Sequence, residues 1–116
     1  MTTSRSIAIV YASVHHGNTH QVADAMSAEL STDRLTVEEA RGVDLSRYDL
    51  VGLGSGIYFG RHHRSLLELV DSWKTPPRQA FIFSTAGLPF LRWFQHAALR
   101  NSLSQKGCPV LSEFCC

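Results

Sequence analysis

Short apolar runs of strand length alternate with helical stretches along the whole chain, and this alternation limits the fold more than any single motif does. Residues 7–11 (Ile-Ala-Ile-Val-Tyr) form a continuous apolar run, as expected of a parallel strand buried on both faces. A turn at Gly17, Asn18 and Thr19 follows, and then Val22, Ala25, Met26 and Leu30 recur at three-to-four spacing and predict a helix with one apolar face. Residues 35–38 predict a short second strand nearer a sheet edge, and residues 48–54 a third. Leu66, Leu69, Val70 and Trp73 predict a helix over 65–73, which Pro76 and Pro77 break. Residues 79–84 predict the fourth strand. A long helix from Pro89 to about Gln105 stops at Gly107, and a fifth strand lies within 108–114. An alternating order of this kind argues for an α/β fold, a parallel sheet wound on both faces.

In such sheets ligands bind at the carboxyl ends of the strands. The loops after the first, third and fourth strands are also the glycine-bearing ones: 13–19, 54–60 and 84–87. In the first, Ser13 and Thr19 offer hydroxyls, Asn18 an amide, and Gly17 a close backbone approach. The loop leads into a helix N-terminus, whose free N–H groups attract an anion. There is no lysine after the glycine and only one glycine, so the pattern is neither a P-loop nor Gly-x-Gly-x-x-Gly, and a single phosphate is the ligand implied. The same residues also suit a plain strand-to-helix turn capped by Asn18 or Thr19.

Composition removes several classes. One hundred and sixteen residues make one domain, 1–116, with no internal repeat or linker. No apolar run approaches the ~18 residues of a membrane span. The formal charge is +1, with no basic stripe for nucleic acid. Cys108, Cys115 and Cys116 form no Cys-x-x-Cys pair, and free thiols in a reducing cytoplasm are expected. His15-His16 and His62-His63 have no acidic or cysteine ligand beside them, so no metal site is expected. No Ser-His-Asp spacing stands out, which argues against a hydrolase.

The motifs resemble those of a known family. Tyr11-Ala12-Ser13, Gly17-Asn18-Thr19 and Val22-Ala23 resemble the phosphate loop and first helix of flavodoxins. Residues 48–58 are similar to their third strand and second flavin loop, residues 81–87 to their fourth strand and third flavin loop, and residues 106–114 to their fifth strand. The resemblance implies a doubly wound five-stranded parallel sheet, flavodoxin-like, of strand order 2-1-3-4-5, and it implies FMN as the cofactor. The phosphate would sit on Ser13, His15, His16, Gly17, Asn18 and Thr19. The ring would lie between Ser55, Gly56, Ile57, Tyr58, Phe59 and Gly60 on one side and Ser84, Thr85, Ala86 and Gly87 on the other. Tyr58 could stack on it. The function implied is electron transfer, or flavin-dependent oxidation or reduction of a small acceptor such as a quinone, with the redox partner unnamed.

Three departures from the family pattern shape the expectations. The loop from Ser13 to Gly17 is one residue longer than in the commonest flavodoxins. The near-neutral charge does not suit a shuttle steered to basic partners, whereas Arg61, His62, His63 and Arg64 predict a locally basic rim. With that rim the chain resembles flavodoxin-like oxidoreductases, including the menaquinone-dependent protoporphyrinogen dehydrogenases, without their insertion after the fourth strand. His62 or His63 is the expected proton donor. Finally, the sequence stops at Cys116, before the family's usual final helix, so an uncovered apolar sheet face is expected, and with it a homo-oligomer or a truncated chain. A flavin-free module that binds a partner through that face is the alternative. Phe90, Leu91, Trp93 and Phe94 are expected to pack in the core or to wall a flat ligand.

Overall fold

A computed structural model describes residues 7–12, 23, 25, 33–58, 61–85 and 95–115. Five parallel strands make the sheet: β1 (Ile7–Ala12), β2 (Asp33–Thr36), β3 (Leu50–Tyr58), β5 (Gln79–Thr85) and β6 (Val110–Cys115). Their spatial order is β2-β1-β3-β5-β6, and a two-residue strand, β4 (Arg61–His62), pairs antiparallel with β3. Counting the parallel strands alone, the order is the expected 2-1-3-4-5.

The register shows why the apolar runs are continuous. β1 pairs with β2 on one side and β3 on the other, so Ala8, Ile9 and Val10 are fully buried whichever face they point to. One face holds Val10, Val51, Leu53, Ala80 and Ile82. Against it pack α2 (Arg64–Asp71), through Leu66, Leu69 and Val70, and α3 (Ala97–Gln105), through Leu99 and Leu103. The other face holds Ile9, Tyr11, Phe81 and Phe83 with Ala23.

Several boundaries differ from the expectations. The second strand ends at Thr36 instead of continuing to residue 38. Thr36 and Glu39 form a capping box: the Thr36 N–H donates to Glu39 Oε1 at 2.9 Å and the Glu39 N–H donates to Thr36 Oγ1 at 3.2 Å. That reciprocal pair starts the short helix α1 (Val37–Ala40). Residues 23 and 25 are helical as expected, but Ala23 is buried and Ala25, expected on the apolar face, is exposed. The aromatic cluster at residues 90–94 lies outside the described residues.

The expected uncovered sheet face is not seen among the described residues. Phe81 is 5% exposed and Phe83 is fully buried; the exposed large apolar side chain there is Leu111, which sits at the register shift between β5 and β6. Phe81 and Phe83 reach across β3 and lie where the side chains of residues 52 and 54 would be, had those positions not been glycine. Among the described residues, no helix is long and apolar enough to cross a membrane.

Candidate functional site

The carboxyl ends of β1, β3 and β5 come together in register. Ala12 stands opposite Ser55, Ser55 opposite Ser84, and Gly56 opposite Thr85. Of the candidate residues, Ser55, Gly56, Ser84 and Thr85 thus lie side by side at one edge of the sheet. Ser55, Ser84 and Thr85 are all buried. Ile57 and Tyr58 continue β3 as strand and form a hairpin with β4, Ile57 paired with His62 and Tyr58 with Arg61. The stretch 54–58, expected to be loop, is therefore strand: Gly54 to Gly56 stay in the parallel ladder with β5, and Ile57 and Tyr58 pair with β4. Ser13, His15, His16, Gly17, Asn18, Thr19, Phe59, Gly60, Ala86 and Gly87 lie outside the described residues.

Behind this edge is a polar network that the sequence did not announce. Ser84 points to the same face as Ile82, toward the helices, and Glu113 pairs with Ile82 on that face. His96 stands just before α3. Its Nε2 is 2.9 Å from Ser84 Oγ and its Nδ1 is 3.0 Å from Glu113 Oε1. Arg100, one turn into α3, grips Glu113 with two bonds of 2.7 Å, from Nε to Oε2 and from Nη2 to Oε1. Burial alone would raise the Glu113 carboxyl, but the Arg100 bonds and charge, with His96 beside them, hold it below its ordinary value. The only sequence sign of the pair is the four-residue spacing from His96 to Arg100. Glu113 joins them through sheet register, which no local pattern reports.

The two expected proton donors have other employment. His63 caps α2, accepting from the Ser65 N–H at Nδ1 (3.1 Å), and its own N–H donates to Ser55 Oγ at 2.9 Å. The Ser55 hydroxyl in turn bonds the Gly56 carbonyl at 2.6 Å, which pins the end of β3. His62 is 1% exposed. Its Nε2–H donates to the Phe83 carbonyl at 2.8 Å, and its ring lies 4.8 Å from that of His96. Burial pushes the His62 imidazole down to about 4, although the Phe83 and Gln95 carbonyls pull the other way. The neutral ring then leaves Nδ1 as a buried acceptor with no hydrogen-bond partner among the described residues. Of the expected basic rim, His62 is buried and neutral and Arg64 is exposed and paired with Glu68, while the Arg61 side chain lies outside the described residues.

A cavity of about 660 Å³, lined in part by Arg41, Asp44, Glu68, Trp73 and Lys74, lies near the amino end of β3. It is remote from the serine-bearing edge and holds none of the groups above.

A doubly wound α/β sheet with polar side chains gathered at its carboxyl edge is the framework of a mononucleotide-binding protein. The flavodoxin domain model matches residues 8–89, a span that takes in all three strand-end loops, and the chain belongs to the flavodoxin domain family. A protein of Methanocaldococcus jannaschii of uncharacterized function is 44% identical over 108 residues, covering 93% of this chain and 72% of that one. Solved structures share the fold at lower identity. A flavodoxin mutant of Fusobacterium nucleatum bound to flavin mononucleotide superposes with a TM-score of 0.70 at 16% identity, covering 92% of this chain and 68% of that one. A Lactobacillus acidophilus flavoprotein in complex with FMN gives 0.69 at 18%, covering 96% and 93%. The Trp repressor binding protein of Bacillus subtilis gives 0.75 at 12%, covering 95% and 83%.

Proposed function

We propose that this chain binds FMN at the carboxyl edge of its sheet and works in the cytoplasm as a flavoprotein, exchanging electrons with a small acceptor such as a quinone. The observation that carries the reading is the alignment of Ser55 with Ser84 and of Gly56 with Thr85 beside the end of β1, which sets side by side the ends of the three strands that lead into the family loops. The donor set suits the cofactor. Strand-end backbone at Gly56 and Thr85 suits the hydrogen-bonding rim of an isoalloxazine, and the buried Ser55 and Ser84 hydroxyls, bonded within the chain, hold that backbone in place. Glu113, the carboxylate beside them among the described residues, is neutralised by Arg100 and does not repel an anion.

In this reading Ser13, His15, His16, Gly17, Asn18 and Thr19 hold the phosphate at the start of the first helix. Residues 55–60 and 84–87 bracket the ring, with Tyr58 stacked on it. Bound FMN would supply the electron chemistry, and the chain supplies orientation, burial and hydrogen bonds. The pinned Ser55–His63 turn keeps the β3 hairpin in place, and the Ser84–His96–Glu113 line keeps the end of β5 in place.

Titration of the purified protein with FMN, followed by flavin fluorescence, tests the reading. Saturable quenching is expected. Gly17→Asp, which sets a carboxylate against the phosphate, should abolish it, and Tyr58→Ala should weaken it by about 1–3 kcal/mol if the ring stacks there. A flat titration of the wild-type protein would overturn the proposal.

A further inference from the structure

The hairpin at the end of β3 is tied to the rest of the fold through one imidazole. The parallel ladder between β3 and β5 stops at Gly56, opposite Thr85. Beyond it Ile57 pairs with His62 and Tyr58 with Arg61. The His63 N–H, bonded to Ser55 Oγ at 2.9 Å, closes the base of the hairpin. His62 then reaches out of β4. Its ring is buried, its Nε2–H donates to the Phe83 carbonyl of β5 at 2.8 Å, and it packs 4.8 Å from the His96 ring at the start of α3.

This anchor suits one charge state. Nε2 holds the single proton of the neutral ring, and Nδ1 has no hydrogen-bond partner among the described residues. A second proton would set a full charge in a buried place. The groups around the ring pull in both directions. The Phe83 carbonyl from β5, the Gln95 carbonyl ahead of α3 and Glu113 from β6 favour the proton. His96 opposes it whenever it is itself charged, and Arg100, from α3, shares the Glu113 charge through two bonds of 2.7 Å. Burial outweighs the favourable groups, so the charged ring is better placed in water. It reaches water if β4 swings away from β5 and α3. Because β4 is paired with Ile57 and Tyr58, those two residues swing with it.

We propose that His62 is a proton-operated latch on this hairpin, an inference that rests on the FMN reading above: the neutral ring holds Ile57 and Tyr58 beside the strand edge, and the protonated ring leaves its socket, so that the hairpin swings out from its base and FMN is released. The proton comes from solvent during an opening and returns to it on closing, and no covalent bond to the cofactor is made or broken. His62 acts through the hairpin backbone and is a positioning residue.

The test uses the full chain and two readouts. In the first, protein loaded with FMN at pH 7 is mixed into buffers down to pH 5 with an excess of unlabelled apo-flavoprotein as a trap, and release is followed by flavin fluorescence. Each opening takes up one proton, so release from the wild type should quicken by roughly tenfold per pH unit below about 6.5. His62→Gln, which keeps a donor for the Phe83 carbonyl and cannot titrate, should lose that slope. The FMN phosphate also titrates near about pH 6, but in both proteins alike, so the difference between them belongs to His62. Far-UV circular dichroism should stay unchanged through the range. In the second readout, amide exchange of the cofactor-free protein, corrected for the intrinsic pH dependence, should show residues 57, 58, 61 and 62 losing protection at pH 5 while β1 and β5 keep theirs, and His62→Gln should keep protection throughout. Equal slopes in the two proteins, or release that occurs only as the circular dichroism is lost, would overturn the latch. A wild-type protein that binds no FMN at pH 7 would overturn the cofactor reading and the release step with it, and the exchange readout would still decide whether the hairpin opens. Should His62→Gln fail to fold, His62→Met, which fills similar space and cannot titrate, takes its place.

Discussion

The ring of Phe83 occupies the space that a side chain on Gly54 would need: a Cβ built on Gly54 would overlap three ring carbons. Phe83 is fully buried and its neighbour Phe81 stands in the same relation to Gly52, so two phenyl rings from β5 cover two glycines of β3. Gly54→Ala should therefore destabilise the protein through overpacking by about 1–3 kcal/mol, read as a shift in the urea midpoint. Adding Phe83→Leu should recover part of the loss, because the two positions share one volume. An unchanged midpoint for Gly54→Ala would show that the ring does not lie there.

Gly107 is required for a different reason. It has φ +74° and nothing within 4 Å of the place a Cβ would take, so the constraint is backbone conformation and not space. It ends α3 in a Schellman motif: the Gly107 N–H donates to the Ser104 carbonyl at 3.0 Å and the Cys108 N–H to the Leu103 carbonyl at 2.9 Å. Gly107→Ala should cost roughly 1 kcal/mol in thermal or urea unfolding, and Gly107→Asn should cost less, since asparagine tolerates this region better.

The succession of strands and helices along the chain and the helix stop at Gly107 were legible because each is written in local chemistry: continuous apolar runs, helical spacing and a glycine at a helix end; the spatial order of the strands came with the family resemblance. The β3 hairpin was not legible. Residues 54–60 read as a loop after a strand ending at Gly54, yet Gly54, like Gly52 within that strand, is glycine so that a ring from β5 can cross it. The end of β2 was misplaced because Leu35, Thr36 and Val37 all favour strand, and the capping box between Thr36 and Glu39 outweighed that preference. At the site, Ser55, Gly56, Ser84 and Thr85 could be named from their loops. His96 and Glu113 could not, because 17 residues separate them and only the pairing of β5 with β6 unites them.

Arg100 and Glu113 give a measurable pair. Their two short bonds are only partly open to solvent, so removing either partner should cost about 1–3 kcal/mol, in the range for hydrogen bonds to charged groups. A double-mutant cycle of Arg100→Met and Glu113→Gln should show coupling of the same sign. Because the Glu113 carboxyl sits below its ordinary value when folded, its contribution is present above the unfolded value of about 4.5 and fades as pH falls through the folded value. Additivity within error would show that the pair contributes no coupling.

Cys108 should be inert. It is 2% exposed, and burial raises its thiol to about 11, so almost no thiolate exists at pH 8. Mass-spectrometric mapping after brief iodoacetamide treatment should leave Cys108 unlabelled in the native protein and labelled in urea. Native labelling as fast as in urea would show that the Cys108 thiol is not shielded in the folded protein.

The buried His62 sets a pH dependence whose sign follows from its neutral state. The unfolded side chain titrates near 6.5, whereas the folded one is held down to about 4. Between those values the unfolded chain binds a proton that the folded chain refuses, so stability falls as pH drops through that window and levels off below it. Above pH 6.5 both states are neutral and the effect vanishes. The span corresponds to on the order of 3 kcal/mol at most, since one pKa unit is about 1.4 kcal/mol. Urea midpoints at pH 7 and pH 5 should therefore differ clearly in the wild type. In His62→Gln, which keeps a donor for the Phe83 carbonyl but has nothing to protonate, most of that difference should disappear. A wild-type protein equally stable at the two pH values would mean that His62 accepts a proton in place, with its unpartnered Nδ1 as the only site to take it.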